Sequence, residues 1–156
     1  MPKIPVKFLQ MSGVGLVLLA SAEGLRTTAY LDSVGVPTNG YGETKNVKLG
    51  DKTTPQKALV RLLESVDDEH GRGMKKCIGD EVTMFQKEYD WHLHFTYNIG
   101  VKGYCGSTTL KLLKEGKHEE ACKAMALWNK PPEIRGRREK EVAGCLAAIK
   151  EGEDEF

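Results

Sequence analysis

The chain has 156 residues, of which 40% are hydrophobic and 29% charged, and its formal net charge is +1. Those values describe one soluble globular domain long enough to bury a core, and they exclude collagenous, low-complexity and disordered polymers. Four acids, Glu151, Glu153, Asp154 and Glu155, crowd the C-terminal end, so the body before them is net positive. A positive body suits an anionic polymeric partner. Nucleic acid is not that partner, because no base-reading motif occurs and the basic residues are interleaved with acids.

In chain order, Lys3 and Lys7 precede an apolar stretch from Val14 to Ala20, and Ala20-Ser21-Ala22 has the small-x-small form of a signal-peptidase site. Cleavage there would strip Glu23 of the helix that carries it. The stretch is also too short and too interrupted to span a bilayer in the usual way. It reads as a helix over 12–23, with Ser12 as N-cap and Leu16, Leu19 and Ala20 on one face. From about 24 to 50 the text turns to small, β-branched and aromatic residues broken by Gly35, Pro37, Asn39-Gly40 and Gly42, which predicts a short, twisted antiparallel sheet.

Thr54 then caps a helix whose first position is Pro55. Ala58, Leu59, Leu62, Leu63 and Val66 recur at helical intervals, so this helix, about 54–69, links the β-lobe to a helical lobe, with Gly71 and Gly73 ending it. The helical lobe occupies about 80–150. Asp80 caps a helix carrying Val82, Phe85, Tyr89 and Leu93 inward and closing at Asn98 and Gly100. Ser107 opens a short helix that stops at Gly116, His118 to Trp128 forms another, and Pro131-Pro132 breaks the chain before a last helix from about Ile134 to Ile149. Residues 1–150 thus make a single α+β domain, and 151–156 read as a solvated, disordered acidic tail.

The most telling string is EGLRTTAYLDSVGVPTNGYGET, from Glu23 to Thr44. It holds two carboxylates, Glu23 and Asp32, then a hydroxyl at Thr38 and close-set glycines at 40 and 42. Cleaving a glycosidic bond needs one carboxylic acid to protonate the departing oxygen and a second, ionised carboxylate to activate water. Glu23 ends a helix, where a negative charge meets the unfavourable end of the macrodipole, and this suits a proton donor. Asp32 precedes a glycine turn, where Asp also serves as an Asx-turn former.

The whole string resembles the signature of the phage-type lysozymes, the endolysins of glycoside hydrolase family 24. The likeness extends to Phe95–Gly100 (FTYNIG), to Ser107–Leu110 (STTL) and to Trp128 followed by Arg137-Arg138-x-x-Glu141. It implies a lysozyme-like fold, with Glu23 as general acid, Asp32 as the carboxylate that prepares water, Thr38 helping to hold that water, and inversion at the sugar. Tyr30, Gly40 and Tyr41 would shape the substrate cleft. The substrate implied is bacterial peptidoglycan, cut between N-acetylmuramic acid and N-acetylglucosamine by a monomer made in the host cytoplasm and acting in the periplasm. Some endolysins use a Gly/Ala-rich N-terminal segment as a releasable membrane anchor, which is the alternative to the ordinary helix here. Rival readings are a lytic transglycosylase, which Asp32 and Thr38 argue against, and a wall-binding module without activity.

Where many relatives carry His after the second glycine, this chain has Glu43, read as solvated. Arg137 and Arg138 read as structural partners of Glu139 or Glu141. No cofactor or metal is implied. His92 and His94, two apart on a helix, face different ways. Cys77, Cys105, Cys122 and Cys145 form no C-x-x-C pair; three disulfide connectivities are open, and buried free thiols are the reading adopted. Trp91 and Trp128 read as packing residues.

Overall fold

The structure, a computed structural model, describes residues 1–155. Strand β1 (Ile4–Pro5) is followed by helix α1 (Gly13–Glu23). As expected, Ser12 caps α1, its hydroxyl accepting from Gly15 N at 3.1 Å. The cap is itself anchored in the helical lobe, because Ser12 N donates to Asp90 Oδ1 at 3.0 Å and Met11 N to Asp67 Oδ1 at 3.0 Å. Gly15 permits this approach, since a Cβ there would stand 2.7 Å from Asp90 Cγ. Leu19 is fully buried, and Leu16 and Ala20 pack against the core. Val14 (64%), Val17 (61%) and Leu18 (42%) face outward. No helix among the described residues is long and apolar enough to cross a membrane.

The antiparallel hairpin β2 (Arg26–Leu31) and β3 (Pro37–Gly40) has Tyr30 opposite Thr38 and Leu31 opposite Pro37. Asn39 and Glu43 exchange both backbone hydrogen bonds across the turn after β3, at 3.0 and 2.9 Å. That return needs positive φ at Gly40 (60°) and Gly42 (91°), which glycine adopts without a steric penalty.

Helix α2 (Pro55–Glu64) begins as the sequence predicts, with Thr54 Oγ1 accepting from Lys57 N at 3.2 Å. It does not stop near residue 69. A wider, π-helical turn (Ser65–Gly71) carries it into α3 (Arg72–Ile78), and Gly79, at φ 91°, ends the run. Gly71 and Gly73 are places of close packing and not terminators: a Cβ on Gly73 would sit 2.6 Å from Val101 Cγ1, and one on Gly71 would sit 3.3 Å from the Tyr89 hydroxyl.

Asp80 does not cap the next helix. Strand β4 (Thr83–Met84) pairs with β1 in the register Ile4 to Met84 and Pro5 to Thr83. Helix α4 (Gln86–Ile99) then starts after Phe85, whose N–H donates to Glu88 Oε2 at 3.3 Å. Short helices α5 (Val101–Cys105), α6 (Thr108–Lys114) and α7 (His118–Ala124) precede α8 (Arg135–Asp154). The tail reading is corrected as well. Helix α8 continues to Asp154, Lys87 Nζ meets Glu151 Oε2 at 2.7 Å, and Gly152 is buried against the Phe85 ring. Phe156, the last residue of that expected tail, lies outside the described residues.

The core runs through the helical lobe, built on Leu62, Met74, Tyr89, Leu93, Phe95, Tyr104 and Met125, all fully buried. The free-thiol reading is overturned by disulfides Cys77–Cys105 and Cys122–Cys145, each with a Cα–Cα distance of 5.7 Å. Each links helices already packed together, α3 with α5 and α7 with α8, which local periodicity cannot reveal. The bridges close loops of 28 and 23 residues. Replacing Cys122 and Cys145 together by Ser is expected to lower the unfolding free energy by about 3 kcal/mol, read as a shifted urea midpoint. His92 Nδ1 is 2.8 Å from the Tyr104 hydroxyl. His92, Cys122 and Cys145 bring three ligand atoms within 4.8 Å, but the two sulfurs are spent on each other.

Candidate active site

Glu23 is the last residue of α1, and the chain turns away at once through Gly24, at φ 72°. Its side chain is 17% exposed, and Oε1 lies 2.8 Å from Arg137 Nη2 of α8. On the opposite side, Oε2 comes within 3.8 Å of where a Gly42 Cβ would stand, so the second glycine of the turn makes room for the acid.

Behind Arg137 is a buried ion network. Glu141, fully buried, pairs with Arg138 Nη1 and lies 3.8 Å from Arg137 Nε and 3.5 Å from His94 Nδ1. Arg138 also donates to Asn98 Oδ1 and, at 2.8 Å, to the Trp128 carbonyl. The structural reading of Arg138 therefore stands. Arg137 has the additional role of holding Glu23, which spacing could not show because the two residues come from opposite ends of the chain.

Glu23 lines a groove of about 370 Å³ together with Glu43, Ser65, His70, Tyr97 and Asn98. An adjoining trough of about 500 Å³ shares Glu43, Lys45, Ser65 and Glu69 with it and continues past Arg61 and Asp68. An elongated polar channel of this kind suits a polymer rich in hydroxyl and amide groups better than a compact apolar ligand. The wide helical turn contributes Ser65, Glu69 and His70 to the wall, and the His70 ring rests 4.7 Å from that of Tyr97.

Glu43 is not solvated as expected. It is half-buried in the same groove as Glu23, with Oε1 enclosed and without a hydrogen-bond partner. Burial raises its carboxyl above the ordinary range and Glu69 adds to this, while Arg61 and His70 oppose it. The Tyr97 hydroxyl is raised by burial first and then by Glu43 and Glu23, and it donates to the Tyr41 carbonyl at 3.3 Å.

Asp32 stands at the tip of the hairpin, where Oδ1 accepts from Val34 N at 2.9 Å and Val36 N at 2.8 Å. It is thus an Asx-turn former, as its position allows. Thr38, 4% exposed, donates its hydroxyl to the Val36 carbonyl at 2.9 Å. The Val36 residue therefore ties Asp32 and Thr38 into one rigid unit. Neither is in the lining of the Glu23 groove, whereas Glu43 is. Tyr30 lies under the Arg26 guanidinium, 4.4 Å from ring centroid to charge, and a Cβ on Gly40 would stand 3.3 Å from Ala58 Cβ. Tyr30, Gly40 and Tyr41 are not among the residues lining the groove, to which the turn contributes Gly42, Glu43, Thr44 and Lys45.

A family model described as phage lysozyme matches residues 20–146. The endolysin of Salmonella phage P22 is 32% identical over 150 residues, covering 89% of this chain and 99% of that one. A protein from Pseudomonas phage phiKMV called SAR-endolysin is 33% identical over 141 residues, covering 82% and 83%. A crystal structure of a P22 lysozyme mutant superposes with a TM-score of 0.79 at 30% identity, over 89% of this chain and 99% of that one. The muramidase domain of SpmX from Asticaccaulis excentricus does so with a TM-score of 0.79 at 28% identity, over 88% and 98%.

Proposed function

The chain belongs to the phage lysozyme family, and from that premise we propose that it cleaves the β-1,4 bond between N-acetylmuramic acid and N-acetylglucosamine of peptidoglycan and so lyses the host cell. It is a lysozyme-type glycoside hydrolase with the α+β lysozyme fold. The observation that carries the finer reading is Glu23, fixed at the helix end, lining a polymer-sized groove and held from behind by Arg137. Its carboxyl gives a proton to the departing glycosidic oxygen. Asp32 and Thr38, coupled through Val36, prepare the attacking water: the turn amides occupy Oδ1 of Asp32 and leave Oδ2 to take a water hydrogen. Thr38, having given its own proton to the Val36 carbonyl, keeps its oxygen lone pairs for the same water. Inversion results if the two carboxyls work about 6.5–9.5 Å apart across a bound sugar.

The two disulfides suit an oxidising compartment, which supports action in the periplasm. The outward Val14, Val17 and Leu18 give α1 a face for transient contact with the inner membrane. Mass spectrometry of digested peptidoglycan tests the reaction. New reducing ends that have gained water are expected; anhydro ends would establish a transglycosylase, and intact glycan strands would leave only a wall-binding module.

Asp32→Asn separates chemistry from architecture, because an amide oxygen still accepts both turn amides but cannot serve as a charged base. Turnover is expected to fall by about 10²-fold or more with the melting temperature unchanged. Adding Glu43→Gln should deepen the loss only if Glu43 also reaches the water, a coupling that the double-variant cycle measures.

A further inference from the structure

Beside the groove lies a separate cavity of about 340 Å³ between α1, α4 and α8, lined by Leu18, Ser21, Ala22, Trp91, His94, Arg137 and Lys140. Its lining sets Leu18, Ala22 and Trp91, with the Ser21 hydroxyl turned back onto the Val17 carbonyl at 2.8 Å, against a nitrogen-bearing wall of His94, Arg137 and Lys140. No carboxylate is among the described lining residues. Lys140 takes part in none of the ion pairs formed by the described residues. His94 is only 5% exposed, and its Nδ1 is enclosed without a well-aligned hydrogen bond, as are Nε and Nη2 of Arg137. Glu23 offsets part of the Arg137 charge at 2.8 Å, and Glu141 lies behind the wall, 3.5 Å from His94 Nδ1. Lys140 and Arg137 Nη1, which enter none of these pairs, remain.

The cavity and the groove share one ion pair. Glu23 lines the groove, Arg137 lines the cavity, and the two meet at 2.8 Å. A ligand that engages Arg137 from the cavity therefore acts on the same guanidinium that faces the catalytic acid.

The geometry points to a binding site for a small phosphate ester with an apolar substituent, held by Arg137 and Lys140 against the Trp91 wall, whose occupancy loosens Glu23 and slows turnover. Phosphate fits because it offers several strong acceptors to one guanidinium and one ammonium. The apolar substituent fits because Leu18 continues on α1 into the exposed Val17 and Val14. The same chemistry is presented by a soluble alkyl phosphate and by a phospholipid headgroup. The effect on turnover rests on the muramidase reading; the binding does not.

Calorimetric titration of the full chain at fixed ionic strength, with hexyl phosphate, inorganic phosphate and hexanol as probes, tests the site. Hexyl phosphate is expected to bind at least tenfold more tightly than either comparator, and Lys140→Glu to weaken it at least tenfold. Equal affinity for inorganic phosphate, or binding untouched by Lys140→Glu, overturns the site. At saturating hexyl phosphate the rate of glycan cleavage should drop at least threefold, and Lys140→Glu, compared with its own uninhibited rate, should escape this. Tight binding with an unchanged rate overturns the coupling. If no glycan is cleaved under any condition, the calorimetry still decides the site and the failure belongs to the muramidase reading. Phosphatidylglycerol vesicles that displace hexyl phosphate, where phosphatidylcholine vesicles do not, identify a lipid as the source of the headgroup; no displacement identifies a soluble ester.

Discussion

Glu23→Gln is expected to abolish clearing of permeabilised bacteria, with kcat reduced by about 10²–10⁴-fold, the range a positioned proton donor contributes. The variant isolates the proton. A glutamine oxygen can keep the place of Oε1 beside Arg137 Nη2, 2.8 Å away, although without the charge attraction, and Gly42 still leaves it room. What disappears is the transferable hydrogen. Unfolding midpoints should match those of the unaltered chain, and binding to insoluble peptidoglycan should persist. Turnover near the original rate would remove Glu23 from the chemistry.

The second large effect concerns stability. Glu141→Leu removes a fully buried carboxylate from between two guanidiniums, leaving Arg138 and Arg137 to face each other and His94 without their common counter-charge. Losing one partner of a buried pair costs about 3–5 kcal/mol, because the charge left behind is neither solvated nor matched. The expected result is a lower urea midpoint, displaced by that free energy divided by the m-value. Activity should also fall below what stability explains, since Arg137 is the tether of Glu23. Glu141→Gln, which keeps the shape and one acceptor, should recover part of the stability. A midpoint unchanged in Glu141→Leu would show that the network contributes nothing to folding.

What could be read from the chain was what is decided locally. Ser12, Thr54 with Pro55, and Ser107 cap their helices as their side chains dictate, and each is seen accepting from the third amide on, at 3.1, 3.2 and 3.1 Å respectively. The hairpin is dictated by its turn residues in the same way. The errors all concern tertiary approach. Gly71 and Gly73 look like helix stops until Val101 and Tyr89 are brought against them. Four cysteines without C-x-x-C spacing look like spare thiols until packed helices set them 5.7 Å apart. Glu43 looks like a surface acid until the wide turn of the linking helix closes over it.

The candidate site divides along the same line. Resemblance proposed Glu23, Asp32 and Thr38, of which Glu23 alone lines the groove, and the Asp32 turn follows from the chemistry of Asp itself. The rest of the groove, Glu43, His70, Tyr97 and Asn98, and the Arg137 contact that holds Glu23, are assembled from four separate stretches of chain. No window of sequence contains that information. It depends on how α8 crosses α4, where the buried Glu141 network and the close approach of Gly144 to Trp91 lie.

The π-helical segment of residues 65–71 also has a consequence for alignment. A regular α-helix advances about 100° per residue, and a wider turn advances less, so its insertion changes the angular phase of everything downstream. Leu62, before it, and Met74 and Ile78, after it, all end fully buried, while Glu69 and His70 between them are delivered to the groove. A rod of constant pitch would have to swing one of these sets out of place. The irregular turn lets a single strut satisfy two surfaces that lie at different bearings around its axis.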